Sequence, residues 1–191
     1  MTLDPTFVEA AMRTNSDLTG SFQISPDVIH AVLGIVTEVE EFAHSIIQKD
    51  VTNMVEEYGD ALWFAALYNH ATGATVDLEL DTDDFNRRPE ESVAVMLDSL
   101  KAAFAYGRSK LYSKEELING IIPEQISHIL RLMGVAVANG TRRTYPEVIE
   151  KAQAAVIAKL KARYPEKFSQ RAATERNLEN EREVLDGITR Y

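Results

Sequence analysis

The region Leu33–Leu67 constrains the fold most, because it places four acidic residues in two pairs at helical spacing. Glu38 and Glu41 form the first pair, and Glu57 and Asp60 form the second. Residues three apart lie on the same face of an α-helix, so each pair directs two carboxylates to one side. The sequence therefore predicts two helices joined in a hairpin, with the four carboxylates facing one another across it.

Both acidic pairs lie in line with apolar positions. The stripe through the first pair continues through Ala31, Ile35 and Phe42, and the stripe through the second reaches Phe64 and Leu67. Like charges gathered in such a partly dry site raise one another's pKa and destabilise the fold. Hard divalent cations such as Mg²⁺ and Mn²⁺ bind carboxylate oxygen and relieve this repulsion, so we interpret the four acids as a metal site.

The same residues resemble the signature of the MazG-like all-α nucleoside triphosphate pyrophosphohydrolases, which is E-x-x-E, a spacer, then E-x-x-D. The first motif is matched in GIVTEVEEF and the second in EEYGDALWF. The stretch KLKARYPEKF, at Lys159–Phe168, is similar to the tail of small phage-type members. The resemblance covers residues 25–70 and, less closely, 150–186. Glu40 departs from it, because many members have Gly there, and an acid at this position faces water or adds a ligand.

This resemblance implies an Mg²⁺-dependent enzyme, with Mn²⁺ as an alternative cofactor, that converts a (d)NTP and water to a (d)NMP and pyrophosphate. It implies that Glu38, Glu41, Glu57 and Asp60 bind the metal, and that Glu38 or Glu41 is the general base. We expect the substrate contacts to come from the basic half of the chain and from the end of the second hairpin helix. The candidates are Lys101, Arg108, Lys110, Lys159, Arg163, Lys167, Trp63 and Asn69.

The charge distribution agrees with a site for a metal and a nucleotide. The net charge is −10; residues 1–100 hold 4 Lys or Arg and 19 Asp or Glu, whereas residues 101–191 hold 16 and 11. An acidic half suits cations and a basic half suits phosphates, whereas the net charge argues against a general nucleic-acid binder.

Other parts of the composition exclude several classes of site. The chain has no cysteine, so a disulfide framework, a thiolate metal site and a cysteine nucleophile are excluded. No apolar run reaches the ~20 residues of a membrane span, and the N-terminus lacks a signal-like apolar core. We therefore expect a cytoplasmic protein without a membrane partner, located in the host cytoplasm if a phage encodes it.

The periodicity predicts an all-α helical bundle of six or seven helices in a single domain over residues 1–191. Its parts are a metal-binding hairpin at 25–73, an acidic and mobile loop at 74–89, and a basic helical half at 90–186. The predicted helices begin at Pro5, Pro26, Asp50–Asn53, Pro89, Pro123, Thr144 and Ser169, with a further short segment at Ser113. Those with a marked end stop near Gln48, Gly73, Lys110, Asn139, Arg163 and Asp186. We expect Pro123 to interrupt the short segment that follows the capping box of Ser113 and Glu116.

Several alternatives stay open at the level of sequence. Dimeric dUTPases share the acidic pattern, so a dUTP- or dCTP-specific enzyme is the close alternative to a purine preference for dGTP or dATP. Glu41 and His44 form an E-x-x-H, the ligand spacing of di-iron bundles, but no other histidine has Glu three residues earlier. A non-catalytic helical assembly module would tolerate Ala at all four acids.

The family resemblance also implies a homodimer or homotetramer, in which a neighbour completes each helical hairpin. The second helix is apolar around most of its circumference, which agrees with burial on several sides.

Overall fold

The computed structural model describes residues 4–13, 24–81, 84, 86–164 and 178–189. Helices form most of these residues: α1 Pro5–Met12, α2 Pro26–Gln48, α3 Val51–Thr72, α4 Pro89–Tyr106, α5 Lys114–Glu116, α6 Ile122–Thr141, α7 Tyr145–Arg163 and α8 Leu178–Thr189. Within the described residues the only strand-type pairing is an isolated bridge between Arg108 and Ser113. The all-α prediction is therefore confirmed.

Local capping sets the limits of the hairpin formed by α2 and α3. The hydroxyl of Ser25 accepts a hydrogen bond from the backbone N–H of Asp27 at 3.2 Å, and the chain enters α2 there. The carboxylate of Asp50 accepts one from the N–H of Asn53 at 3.0 Å and begins α3. Gly73 ends α3 in the left-handed conformation, with φ of 74°. The predicted start of α2 and the predicted end of α3 are thus confirmed.

Helix α3 lies at the centre of the bundle and contacts α2, α6, α7 and α8. Two glycines allow two of its neighbours to approach closely. A Cβ on Gly34 of α2 would lie 2.3 Å from the ring of Phe64, and one on Gly59 of α3 would lie 2.9 Å from the carbonyl oxygen of Ala152 on α7. Because Gly59 is next to Asp60, this contact brings α7 against the acidic part of α3.

The predicted helix break at Pro123 is wrong. Helix α5, a π-helical turn at Leu117–Ile121 and helix α6 follow one another without interruption. The N–H of Ile122 donates to the carbonyl of Leu117, five residues earlier, so the π turn accommodates one extra residue just before the proline. The missing N–H of Pro123 then falls in the first turn of α6, where it costs little.

One other helix limit differs from the prediction, and another lies outside the described residues. Helix α4 ends at Tyr106, short of Lys110, because Gly107 takes a left-handed conformation with φ of 67° and stops it. The last predicted helix begins at Ser169, which lies outside the described residues, and α8 is described from Leu178 to Thr189.

Among the described helices, the continuous stretch Lys114–Thr141 is long and apolar enough to cross a membrane by length and composition. Most of its apolar window is buried inside the protein. This is the pattern of a core helix in a globular domain, and Ile126, Ile129 and Leu130 contribute to the main core.

The acidic loop after α3 is anchored to the bundle, contrary to the expected mobility. Both carboxylate oxygens of Asp84 accept hydrogen bonds of 2.7 Å from Arg131 on α6. Burial opposes ionisation of Asp84, but the bonds from Arg131 outweigh it and lower the pKa of Asp84. Backbone groups between Val76 and Leu78 bond to side chains of three helices, namely Asn69, Ser127 and Tyr145.

Candidate metal and nucleotide site

Three of the four predicted metal ligands form one carboxylate cluster. Glu38 and Glu41 of α2 and Glu57 of α3 each place a carboxylate oxygen within 4.8 Å of the others. The antiparallel hairpin makes this possible, because the turn at Lys49 and Asp50 puts the second half of α2 beside the first half of α3. The two motifs are therefore brought together by the local fold of the hairpin alone.

The cluster has a buried side and an open side. Glu57 is only 8% exposed, Glu38 is half-buried, and Glu41 is exposed. Its donor atoms are all carboxylate oxygens, the chemistry that Mg²⁺ and Mn²⁺ prefer. One open side leaves room for water and phosphate oxygen on a bound ion. The residues present thus fit a hard divalent cation, and within the described cluster no histidine supports a di-iron site.

Crowding of the acids shifts their titration strongly. Burial raises the pKa of Glu57 to about 9, and the neighbouring carboxylates of Glu56, Glu38 and Glu41 add to the effect. Burial likewise raises the pKa of Glu38 to about 7, with a contribution from Asp60. Glu57 keeps its proton near neutral pH and donates a hydrogen bond to Glu38. The cluster without a cation therefore holds protons in place of a counter-charge.

The fourth predicted ligand, Asp60, lies outside this cluster of three and is paired with Lys159 of α7. The same ammonium donates a hydrogen bond of 3.1 Å to Glu56. Burial alone would lower the pKa of Lys159, but Asp60 and Glu56 outweigh it and raise that pKa. Burial raises the pKa of Asp60 despite the opposing effect of Lys159. Lys159 thus supplies the positive charge next to the cluster.

The acids and the lysine line one side of a cavity of about 440 Å³. A cavity of this size is within the range of small-molecule sites. Its lining combines acidic, basic and aromatic side chains: His30, Glu38, Glu41, Glu56, Glu57, Asp60, Trp63, Phe64, Val156, Lys159, Leu160, Arg163 and Tyr164. The cavity therefore has groups for a metal, for an anion and for a planar ring.

Three of the lining rings form an aromatic cluster. The centroids of Trp63 and Phe64 are 5.0 Å apart, and His30 lies 5.4 Å from Phe64 and 6.2 Å from Trp63. All three pairs meet edge to face, with interplanar angles of 69–79°. Trp63 is exposed, so its indole presents surface to the cavity.

Residues 29–87 match the family model of the MazG nucleotide pyrophosphohydrolase domain. This segment is similar to a MazG domain. The match contains the four predicted acids and the aromatic cluster, and it supports nucleotide pyrophosphohydrolase activity in general. Comparison with curated proteins and with solved structures gave no match.

The basic side of the cavity lies outside the matched MazG segment. Two of the predicted substrate contacts, Lys159 and Arg163, lie on α7 and line the cavity. Glu181 of α8 accepts hydrogen bonds from Nε of Arg163, at 2.9 Å, and from Nη2. Helix α8 thereby holds this arginine, and Arg182 attaches α8 to the start of α3 through Asn53.

Four other predicted substrate contacts do not line this cavity. Lys101 is paired with Asp98 on the exposed face of α4, and Arg108 and Lys110 lie exposed in the turn that follows α4. The carboxamide oxygen of Asn69 accepts a hydrogen bond from the N–H of Val76 and so anchors the acidic loop. Lys167 lies outside the described residues.

Sequence reasoning missed two residues that line the cavity and a third that holds Arg163. Glu56 precedes the second motif directly and lies one helical turn from Asp60, a signal that was available. His30 lies two turns before Glu38 on α2, but only the packing of Trp63 and Phe64 shows that it faces the cavity. No local sequence pattern indicates the role of Glu181, because its partner Arg163 is 18 residues away on another helix.

Proposed function

We propose that the protein is an Mg²⁺-dependent nucleoside triphosphate pyrophosphohydrolase. The observation that carries this is the carboxylate cluster of Glu38, Glu41 and Glu57 in one cavity with a buried lysine and an aromatic cluster. The MazG match over residues 29–87 supports the same reaction class. Such a cavity suits a ligand that combines a cation, several phosphates and a planar base.

Each group of lining residues has a distinct role in this proposal. The cluster carboxylates and Asp60 would hold Mg²⁺, which would neutralise phosphate charge and polarise the reacting P–O bond. Lys159 and Arg163 bind phosphate oxygens by charge-assisted hydrogen bonds. Trp63 offers its exposed face to the base, which would stack on it.

The reaction joins a water oxygen to the α-phosphorus and breaks its bond to the oxygen bridging the α- and β-phosphorus. Pyrophosphate leaves with that bridging oxygen, and the nucleoside monophosphate retains the new one. Glu38 or Glu41 takes the proton of the attacking water. The cavity holds the triphosphate in place for in-line displacement.

Substrate preference and assembly complete the proposal. Purine deoxynucleotides, dGTP and dATP, are the first candidates, and dUTP or dCTP is the alternative. We propose a cytoplasmic homodimer or homotetramer, as expected for a small phage-type member. The apolar side chains of Leu33 and Ile47, which are 50% and 76% exposed on α2, support burial against a second copy. Light scattering coupled to gel filtration measures this state directly.

A panel of all eight common NTPs and dNTPs with Mg²⁺ tests the proposed activity. Chromatography should show nucleoside monophosphate and pyrophosphate as products, without diphosphate or orthophosphate. Glu41→Gln should lose activity at least a hundredfold while retaining its helix content, because it removes an exposed cluster carboxylate. Glu40→Gln, on the exposed part of the same helix, is the matched control and should retain activity. Full activity in Glu41→Gln, or no hydrolysis of any nucleotide by the wild type, would contradict the proposal.

A further inference from the structure

Two carboxylates of α3 hold Lys159 in the cavity, and only one of them belongs to the predicted metal site. The ammonium donates to Glu56 at 3.1 Å and also to Asp60. Glu56 and Asp60 are four residues apart, so they lie on the same face of α3 and bind the ammonium together. Glu56 lies outside both acidic motifs and outside the three-carboxylate cluster.

The geometry leaves Lys159 able to bind a further anion. An ammonium has three N–H donors, and two of them go to Glu56 and Asp60. The third remains for a ligand in the cavity, which Lys159 lines. Lys159 is only 2% exposed, so carboxylates of the protein, and not water, satisfy most of its ammonium group.

Asp60 has two competing cationic partners if the function proposed above is correct. A divalent ion bound to Asp60 would repel the nearby ammonium of Lys159 and weaken its pairing with that carboxylate. Glu56 is then the carboxylate that still holds the lysine. We propose that Glu56 is a positioning residue, which keeps Lys159 in the cavity so that its third donor binds the triphosphate.

A positioning role and simple electrostatics predict opposite changes in anion affinity when Glu56 loses its charge. Glu56→Gln removes a negative charge from a cavity that receives a polyanion, so charge alone would strengthen binding. If Glu56 positions Lys159, the same substitution instead weakens binding. Loss of one charge-assisted hydrogen bond corresponds to roughly tenfold to hundredfold weaker affinity.

Inorganic tripolyphosphate, which has no base or sugar, tests this prediction in the full-length protein with Mg²⁺. Calorimetry should show the tenfold to hundredfold loss for Glu56→Gln. In a Lys159→Met background the same change should cause no further loss, because the residue through which it acts is gone. Glu40→Gln removes an acid of α2 that does not line the cavity, and it should bind as the wild type does. With a nucleotide substrate the loss should be found in KM more than in kcat.

Tripolyphosphate binding by Glu56→Gln that equals or exceeds the wild type would overturn the inference, as would an equal loss in the Lys159→Met background. Mg²⁺ affinity, measured from the rise in the midpoint of thermal unfolding, should not change in Glu56→Gln. A loss of that affinity would make Glu56 a metal ligand and also overturn the positioning role.

If Glu56→Gln does not fold, Glu56→Asp keeps the charge on a shorter side chain, and a smaller loss of tripolyphosphate affinity is expected from it. Wild-type affinity in Glu56→Asp would then overturn the inference. The outcomes also separate the two proposals. If the wild type hydrolyses nucleotides and Glu56→Gln binds tripolyphosphate as tightly as the wild type does, only the positioning role is overturned. A wild type that binds no tripolyphosphate contradicts the proposed function as well.

Discussion

Replacement of Glu57 by Gln should stabilise the protein without a metal and abolish its stabilisation by Mg²⁺. In the folded protein Glu57 holds its proton up to a pKa of about 9, whereas an unperturbed Glu releases it near 4.5. Between these values the folded state binds more protons than the unfolded state, so the free energy of unfolding falls as the pH rises. Gln is a neutral isostere of the protonated acid, so the variant does not lose free energy of unfolding in this way as the pH rises.

The size of the stability gain depends on the pH and on the pKa of Glu57 in the unfolded chain, because the pKa in the folded protein lies above 7. At pH 7, protonation of a carboxyl with an ordinary pKa of 4.5 costs about 3 kcal/mol, and Glu57→Gln should gain that amount. At pH 5 the same calculation gives a gain of less than about 1 kcal/mol in the free energy of unfolding. For a chain of this length the gain at pH 7 corresponds to an increase of roughly 6–12 °C in the unfolding midpoint.

Thermal and urea unfolding in EDTA, at pH 5 and at pH 7, measure this gain. Glu40→Gln makes the same chemical change at an exposed position of α2, and it should stay within about 0.5 kcal/mol of the wild type. Added Mg²⁺ should stabilise the wild type and Glu40→Gln but not Glu57→Gln. An unchanged or lower stability of Glu57→Gln at pH 7, or an equal gain at both pH values, would refute this reasoning.

Three further predictions concern the metal, the helix packing and the loop. Stabilisation by Mg²⁺ should increase from pH 5 to pH 8, because the ion must displace protons from Glu38 and Glu57. Dye-monitored unfolding with and without Mg²⁺ checks this, and an increase in the unfolding midpoint that is independent of pH would contradict it. Gly59→Ala should destabilise the fold by about 1–3 kcal/mol, because the new Cβ meets the backbone of α7; urea unfolding measures it, and wild-type stability would rule out the close packing. Asp84→Asn leaves the guanidinium of Arg131 without its carboxylate, so it should cost about 3 kcal/mol and speed amide exchange in the acidic loop; unchanged exchange would show that the pair does not anchor the loop.

The hairpin could be predicted from sequence because every signal for it is local. The spacing of Glu38 with Glu41 and of Glu57 with Asp60 fixes which helix face carries the acids. The cap at Ser25 fixes where the first helix begins. The break expected at Pro123 failed for a local reason too, because a π turn ahead of the proline is not visible in helical periodicity.

The basic side of the site could not be chosen from sequence in the same way. Lys101 and Lys159 are both lysines on helices of the basic half, but only Lys159 reaches the acids, through packing of α7 on α3 at Gly59. That contact joins residues about a hundred positions apart in the chain. The acidic loop was expected to be mobile for a related reason, since its partner Arg131 is 47 residues from Asp84.

Hydrolysis of dGTP in water enriched in ¹⁸O, with Mg²⁺ present, tests the central claim most directly. If water attacks the α-phosphorus in the cavity lined by Glu38, Glu41 and Glu57, mass spectrometry will show the label in the nucleoside monophosphate and none in the pyrophosphate. If dGTP is not a substrate, the nucleotide that the panel shows to be hydrolysed fastest takes its place. Label in orthophosphate or pyrophosphate, or the same label in a Glu41→Gln reaction at the wild-type rate, would contradict the account.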